Sequence, residues 1–282
     1  MKRFAICLSL LVLALNYSFA QEIYKFGKVT VDDFTHADYA VDTSMADAIV
    51  LDETVDALYY ESGRHFAVNR SVKRKIKILK PSGVDCAEVI IPYNYDNPYT
   101  GANYNFNIIA YSYQLQDGVV KKSKLKKKDI RREFLNDSIA QVSFTIPNVE
   151  AGCIIEYAYT VFDYALITEV GAVIDYRFGH PIPIVRSVHQ VMVEDRLDCQ
   201  VVKAGTFPVK CEQREPEYSG INYGTTANRS FGINAYTQQS IIHYFEVNNV
   251  PAINGKMRQE DIPGVVSIIK SVNWKDLIPS KL

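Results

Sequence analysis

The sequence predicts an all-β fold, an antiparallel β-sandwich with a few short helices. Three observations predict it. Tyr and Phe number 19 and 13 among 282 residues, and both favour strands over helices. Short runs of alternating apolar and polar residues recur, with turn signals every ~8–12 residues. Heptads, a repeat of ~20–50 residues and βαβ alternation are all missing from the pattern. The body is expected to be one elongated domain, either a single sandwich or an extended super-sandwich of two.

Residues 1–20 read as a secretory signal peptide. Lys2 and Arg3 precede an apolar run, and Ser18-Phe19-Ala20 offers small residues around a cut after Ala20. The run is too short to span a hydrocarbon core of roughly 30 Å. Without the leader, 29 basic residues face 32 acidic ones, a net charge of −3. That near balance predicts neither nucleic-acid binding nor a strong pull toward anionic membranes. The expected compartment is periplasmic or extracellular, with no transmembrane span in the mature chain. Residues 21–45 form a lead-in, 46–253 the β body and 254–282 a tail or linker.

Along the lead-in, Thr30 and Asp33 have the spacing of a capping box, which predicts a short helix. A strand is expected over 46–52, then a hairpin of 55–60 and 65–79 turning at Ser62-Gly63. In its second arm Lys73, Lys75 and Lys77 alternate with Arg74, Ile76 and Ile78, so the lysine face is expected to be fully wet. Pro81-Ser82-Gly83 ends the arm, and 89–91 is a short strand. Residues 93–106 read as a polar, aromatic loop.

Residues 107–116 alternate, with Ile109, Tyr111, Tyr113 and Leu115 on one face. Asp117-Gly118 is a two-residue hairpin turn, since a type I′ turn needs positive φ at both central positions. Val119 and Val120 begin the return strand, and 124–136 hold a short helix or turn. Residues 141–146 are a strand with Val142, Phe144 and Ile146 on one side. Residues 147–152 turn, and 154–161 set Ile155, Tyr157, Tyr159 and Val161 on one face. Strands at 185–194 and 241–247 follow, separated by a Gly- and Asn-rich stretch over 219–239.

Cys199 and Cys211 flank Gly205 symmetrically. A hairpin turning there sets them opposite each other, and an oxidising compartment then allows a disulfide. The alternative is two small buried thiols. Cys86 and Cys153 read as packed strand residues, and no cysteine spacing resembles a zinc site. His36, His65, His180, His189 and His243 lack metal-ligand spacing, so no cofactor is expected. A catalytic Cys153 needs His180 or His189 beside it to lower its pKa, and nothing in the sequence brings them together. Glu156 stands alone on its strand and is expected to pair with a basic neighbour. No catalytic residue is assigned.

Two surface features are candidate binding sites. Tyr93, Tyr95, Tyr99 and Tyr104 form a ligand-facing loop for a sugar or peptide, or else cover the end of the sandwich. Lys121, Lys122, Lys124, Lys126, Lys127, Lys128, Arg131 and Arg132 form an anion-facing patch, or else guard an edge against aggregation.

Four stretches resemble the family known as domain of unknown function 3857. They are ADAIVLDET (46–54), RSVKRKIKILKPSGVD (70–85), FTIPNVEAGCIIEYAYT (144–160) and YRFGHPIPIVRSVHQVMV (176–193), with VNNVPAI (247–253) beyond them. The resemblance implies an exported β domain of Bacteroides-type Gram-negative bacteria. Such a domain usually stands ahead of a transglutaminase-like cysteine-peptidase domain. It also implies an accessory or substrate-presenting role, with a peptidase-like domain or envelope protein as partner. The Cys, His and Asp of a peptidase core are not found in order here. The expectation is therefore a non-catalytic module. The alternatives are the front part of a truncated or split thiol peptidase, and a glycan- or peptide-binding surface protein. The saddle-shaped β domain at the front of some metallo-aminopeptidases is an alternative fold within the all-β class.

Overall fold

Alternation and turn chemistry act first along this chain. Asp117 and Gly118 hold φ of 51° and 75°, the conformation a tight hairpin requires. They join β4 (Ile109–Gln116) to β5 (Val119–Lys124). Thr30 opens α1 (Val31–Thr35), donating its backbone N–H to the Asp33 carboxylate at 2.7 Å. The computed structural model describes residues 25–62, 65–94, 106–166, 173–194, 199–204, 207–214, 240–253 and 265–270.

The long arms are β1 (Ala48–Ser62) and β2 (His65–Ile78), antiparallel, with Ser62 opposite His65. A 3-10 turn, η1 (Pro81–Ala87), leads to β3 (Glu88–Asn94). After β5 come η2 (Lys127–Asp129), β6 (Arg131–Phe134), β7 (Ile139–Thr145) and β8 (Ile154–Leu166). Then follow β9 (Val173–Arg177), β10 (Ile184–Glu194), β11 (Cys199–Ala204), β12 (Lys210–Arg214), β13 (Ser240–Val250) and β14 (Val265–Lys270).

The described strands form an eight-stranded sheet in the order β12-β13-β10-β1-β2-β8-β4-β5, and two three-stranded sheets, β3-β7-β6 and β11-β14-β9. Val89, Ile91, Val142, Phe144 and Ile146 of the β3-β7 side pack against Ala48, Ile76, Ile155 and Tyr157 of the large sheet. This apolar layer between two sheets makes the fold an all-β sandwich. One junction departs from the antiparallel rule: β1 and β10 run parallel.

The two strands expected at 46–52 and 55–60 are one, β1. Its register slips between Val50 and Asp52. An extra residue shifts side-chain parity by one, so Ala48 and Val50 before it share the interior with Ala57 and Tyr59 after it. Glu53 thereby turns inward and Asp52 outward.

Several expectations are corrected. The lysine face of β2 is not fully wet: Lys75 and Lys77 are only 6% and 7% exposed. The lead-in crosses this face, and Asp33 meets Lys75 at 2.6 Å. Lys77 donates to the carbonyls of Phe34 and His36, each at 2.7 Å. Farther along, Phe26 lies against Tyr111, and Gly27 donates its N–H to Glu156 at 2.9 Å. The lead-in therefore serves as a cover for the outer face. The described strands on either side of Gly205 do not pair with each other as the expected hairpin requires: β11 pairs with β14 and β12 with β13, in different sheets. The stretch expected as a tail contributes β14. Within 124–136, the expected short helix or turn is η2, followed by the strand β6.

Gly83 marks a close approach. A Cβ there would lie 2.2 Å from the Asp47 carbonyl oxygen, which accepts the N–H groups of Leu79 and Lys80. Among the described residues no helix is long and apolar enough to cross a membrane.

Candidate functional site

Two polar assemblies emerge from this frame. The first is a row inside the large sheet. Val247, Ser187, Glu53, Arg74, Tyr157 and Ala110 are cross-strand neighbours on six successive strands. Glu53 is only 4% exposed, and a carboxylate so placed is tolerable only when paired and hydrogen-bonded. Arg74 donates to its Oε2 through Nε at 2.7 Å and also through Nη2. His180 Nε2 lies 3.1 Å from the same oxygen. On the other oxygen, Ser187 Oγ donates at 2.9 Å and His189 Nε2 lies at 3.5 Å. Arg74 reaches on to the Tyr157 hydroxyl at 2.8 Å, and the Phe178 ring lies tilted against His189 with centroids 4.5 Å apart.

Burial alone would push the Glu53 carboxyl up. The charge of Arg74 and the hydrogen bonds from His180 and His189 more than offset it, so the group sits well below the ordinary glutamate range. Burial pushes the Tyr157 phenol up to about 12. Glu53 is thus held ionised and Tyr157 neutral. Sequence reasoning missed Glu53 and Arg74. The only available signal was a carboxylate and a guanidinium in adjoining strands, which also describes two ordinary surface residues.

Opposite this row, Asp52 and Arg186 meet at 2.9 Å and Arg186 and Glu246 at 3.1 Å. Glu156, with no exposed surface, accepts from Gly27 and from the Tyr113 hydroxyl at 2.7 Å. Its cross-strand neighbour is Lys75. The ammonium of Lys75 itself meets Asp33 at 2.6 Å.

The second assembly is the basic run. Lys121, Lys122 and Lys124 lie on β5, the edge of the large sheet. Lys126, Lys127 and Lys128 follow around η2, and Arg131 and Arg132 stand on β6, itself an edge. All but Arg132 are exposed. Lys122 lies over the Tyr111 ring at 3.6 Å. Arg132 lies over the rings of Tyr93 and Phe106, at 5.8 and 5.5 Å. Between the start of β4 and the turn into β6 is a depression of about 590 Å³ with Ile108, Ile109, Ile130, Lys127 and Arg131 on its walls.

Of the expected Tyr loop, Tyr93 alone is among the described residues. Tyr93 belongs to β3 and is buried against Phe106, ring centroids 4.8 Å apart. Tyr95, Tyr99 and Tyr104 lie outside the described residues. Cys211 is a free thiol, and its strand, β12, does not pair with β11, the strand of Cys199; the Cys199 side chain lies outside the described residues. Cys153 is 2% exposed. Burial pushes its thiol and that of Cys86 up, the opposite of what a nucleophile needs. Among the described residues no group of His, Cys, Asp and Glu is arranged to hold a metal ion.

No curated protein matches this chain. Among solved structures it resembles a "putative protease" from Parabacteroides distasonis ATCC 8503, with a TM-score of 0.56 and 13% identity, over 79% of this chain and 40% of that one. The likeness shows a shared fold, and this chain spans well under half of that protein. An M1 zinc metallopeptidase from Deinococcus radiodurans overlaps 79% of this chain and 42% of its own at 8% identity, but a TM-score of 0.36 carries no argument. Residues 67–254, most of the β body just described, match the family described as a domain of unknown function with a solved structure (DUF3857), and the chain belongs to that family.

Proposed function

We propose that this protein is an exported, non-catalytic β module that works beside a peptidase-like domain or partner and leaves the bond-breaking to it. One observation carries the reading. The buried gathering of imidazole, carboxylate and hydroxyl groups is consumed by mutual pairing around Glu53, and its described members include no thiol. Such a centre fixes the register of four strands instead of meeting a substrate. Charge networks of this kind specify arrangement more readily than they add stability.

A second reading is the front part of a thiol peptidase, favoured by the 40% share of the Parabacteroides protein that this fold occupies. The first reading is tested on the chain itself. The purified mature chain is incubated with an unfolded peptide substrate and with a glutamine peptide plus an amine donor, with and without iodoacetamide. The module reading expects no turnover in any arm. Turnover abolished by iodoacetamide would overturn it; the second reading expects the DNA just downstream to encode an in-frame core of cysteine, histidine and aspartate.

A further inference from the structure

We infer that the free edge of β5, with the groove beyond its end, is a docking site for an extended acidic segment of a partner protein. This rests on the module reading above and supplies the chemistry of its partner.

Three features converge there. Among the described residues β5 has a strand neighbour, β4, on one side only. An edge of this kind accepts an added strand through its main-chain N–H and C=O groups. The chain leaving β5 stays in register with the sheet, because Leu125 N–H donates to the Ala110 carbonyl at 3.0 Å. It then enters the wall of the groove at Lys127 and Ile130. A strand laid along β5 therefore arrives at an apolar depression that can take one of its side chains.

Charge identifies the strand. Residues 121–132 hold eight basic residues and one acidic, Asp129, in a chain of net charge −1. Lys121, Lys124, Lys126, Lys127, Lys128 and Arg131 form no ion pair with a carboxylate among the described residues. Lys75 and Arg74, by contrast, each have an acidic partner. Unneutralised lysines on an edge repel a second copy of the same edge, since like charges would stand opposite each other across the new pair. They favour an incoming strand with carboxylates at those positions. A lipid headgroup would satisfy the charges but would leave the strand edge unused.

The test uses the purified mature chain and a fluorescein-labelled peptide alternating Glu with Val and ending in Leu; its Lys counterpart is the control. Anisotropy is expected to show saturable binding of the Glu peptide alone, weakened roughly tenfold or more by added salt. Hydrogen exchange is expected to show new protection in β5. The double variant Lys121→Glu, Lys124→Glu, with its circular-dichroism spectrum unchanged, is expected to lose the binding. Binding that survives the variant, or that leaves β5 unprotected, overturns the inference. So does charge-dependent binding to phosphatidylglycerol vesicles without peptide binding. If the variant still co-purifies with a peptidase-like envelope protein, the docking edge falls and the module reading stands. Thiol-dependent turnover by the chain alone would sink the module reading however the edge behaves.

Discussion

Glu53 and Arg74 are register partners across β1 and β2, and two guanidinium nitrogens of Arg74 converge on a single oxygen of Glu53. The pair stands at the middle of the inward row that links β10, β1, β2 and β8. Removing one partner leaves a buried charge without its counter-charge. Glu53→Gln or Arg74→Met is therefore expected to cost about 3–5 kcal/mol. The double change to a well-packed apolar pair should cost less than the sum. Urea denaturation of all four proteins, treated as a double-mutant cycle, measures the difference.

The same pair sets an acid limit. The folded-state Glu53 carboxyl lies well below its ordinary value of 4.5. Its contribution to stability is therefore complete above the unfolded value and lost as pH falls toward the folded one. Asp52 behaves oppositely, because burial raises its carboxyl despite Arg186. Its linkage term falls as pH rises through the raised range. Unfolding free energy followed from pH 7 downward should drop steeply in the native protein. In Glu53→Gln the drop should be shallower below about pH 4.5.

The lead-in is expected to stabilise the sheet it covers. Asp33→Asn removes the carboxylate that Lys75 meets at 2.6 Å and weakens the capping box at Thr30. The expected loss is about 1.5–3 kcal/mol, the range for a hydrogen bond to a charged group. Thermal melts should show a lower midpoint, and hydrogen exchange should quicken at Lys75 and Lys77.

Gly83 has no room for a side chain. The Asp47 carbonyl that a Cβ would strike is backbone, already accepting from Leu79 and Lys80, so it cannot move aside cheaply. Gly83→Ala is expected to cost about 1–3 kcal/mol, read as a fall in the denaturation midpoint with an unchanged slope.

Cys153 should resist modification. Burial and a raised pKa both disfavour the thiolate. With native protein, iodoacetamide followed by peptide mass mapping should leave Cys153 unlabelled, and denaturant should expose it. Rapid labelling of native Cys153 would contradict its buried place just before β8.

Much of the local structure was legible because its causes are local. The capping box, the positive-φ turn at Asp117-Gly118 and the alternation of 141–146 each depend on residues within a few positions. The Glu53 centre was not legible. It assembles residues from β1, β2, β8, β10 and the segment before β10, and a bulge decides that Glu53 and not Asp52 faces inward.

What the sequence determined by itself is that this protein would build sheets, where many of its strands would turn, and which residues would alternate. Period-2 patterning states that a strand has two unlike faces, and turn residues state where it reverses. Only the tertiary structure decided which strands would be neighbours. It set β10 parallel to β1, separated β11 from β12, and laid the lead-in over Lys75 and Lys77. Those outcomes depend on hydrogen bonds and charge pairs between residues far apart in the chain. A buried lysine with a distant carboxylate and an exposed lysine in water look alike until the chain has folded.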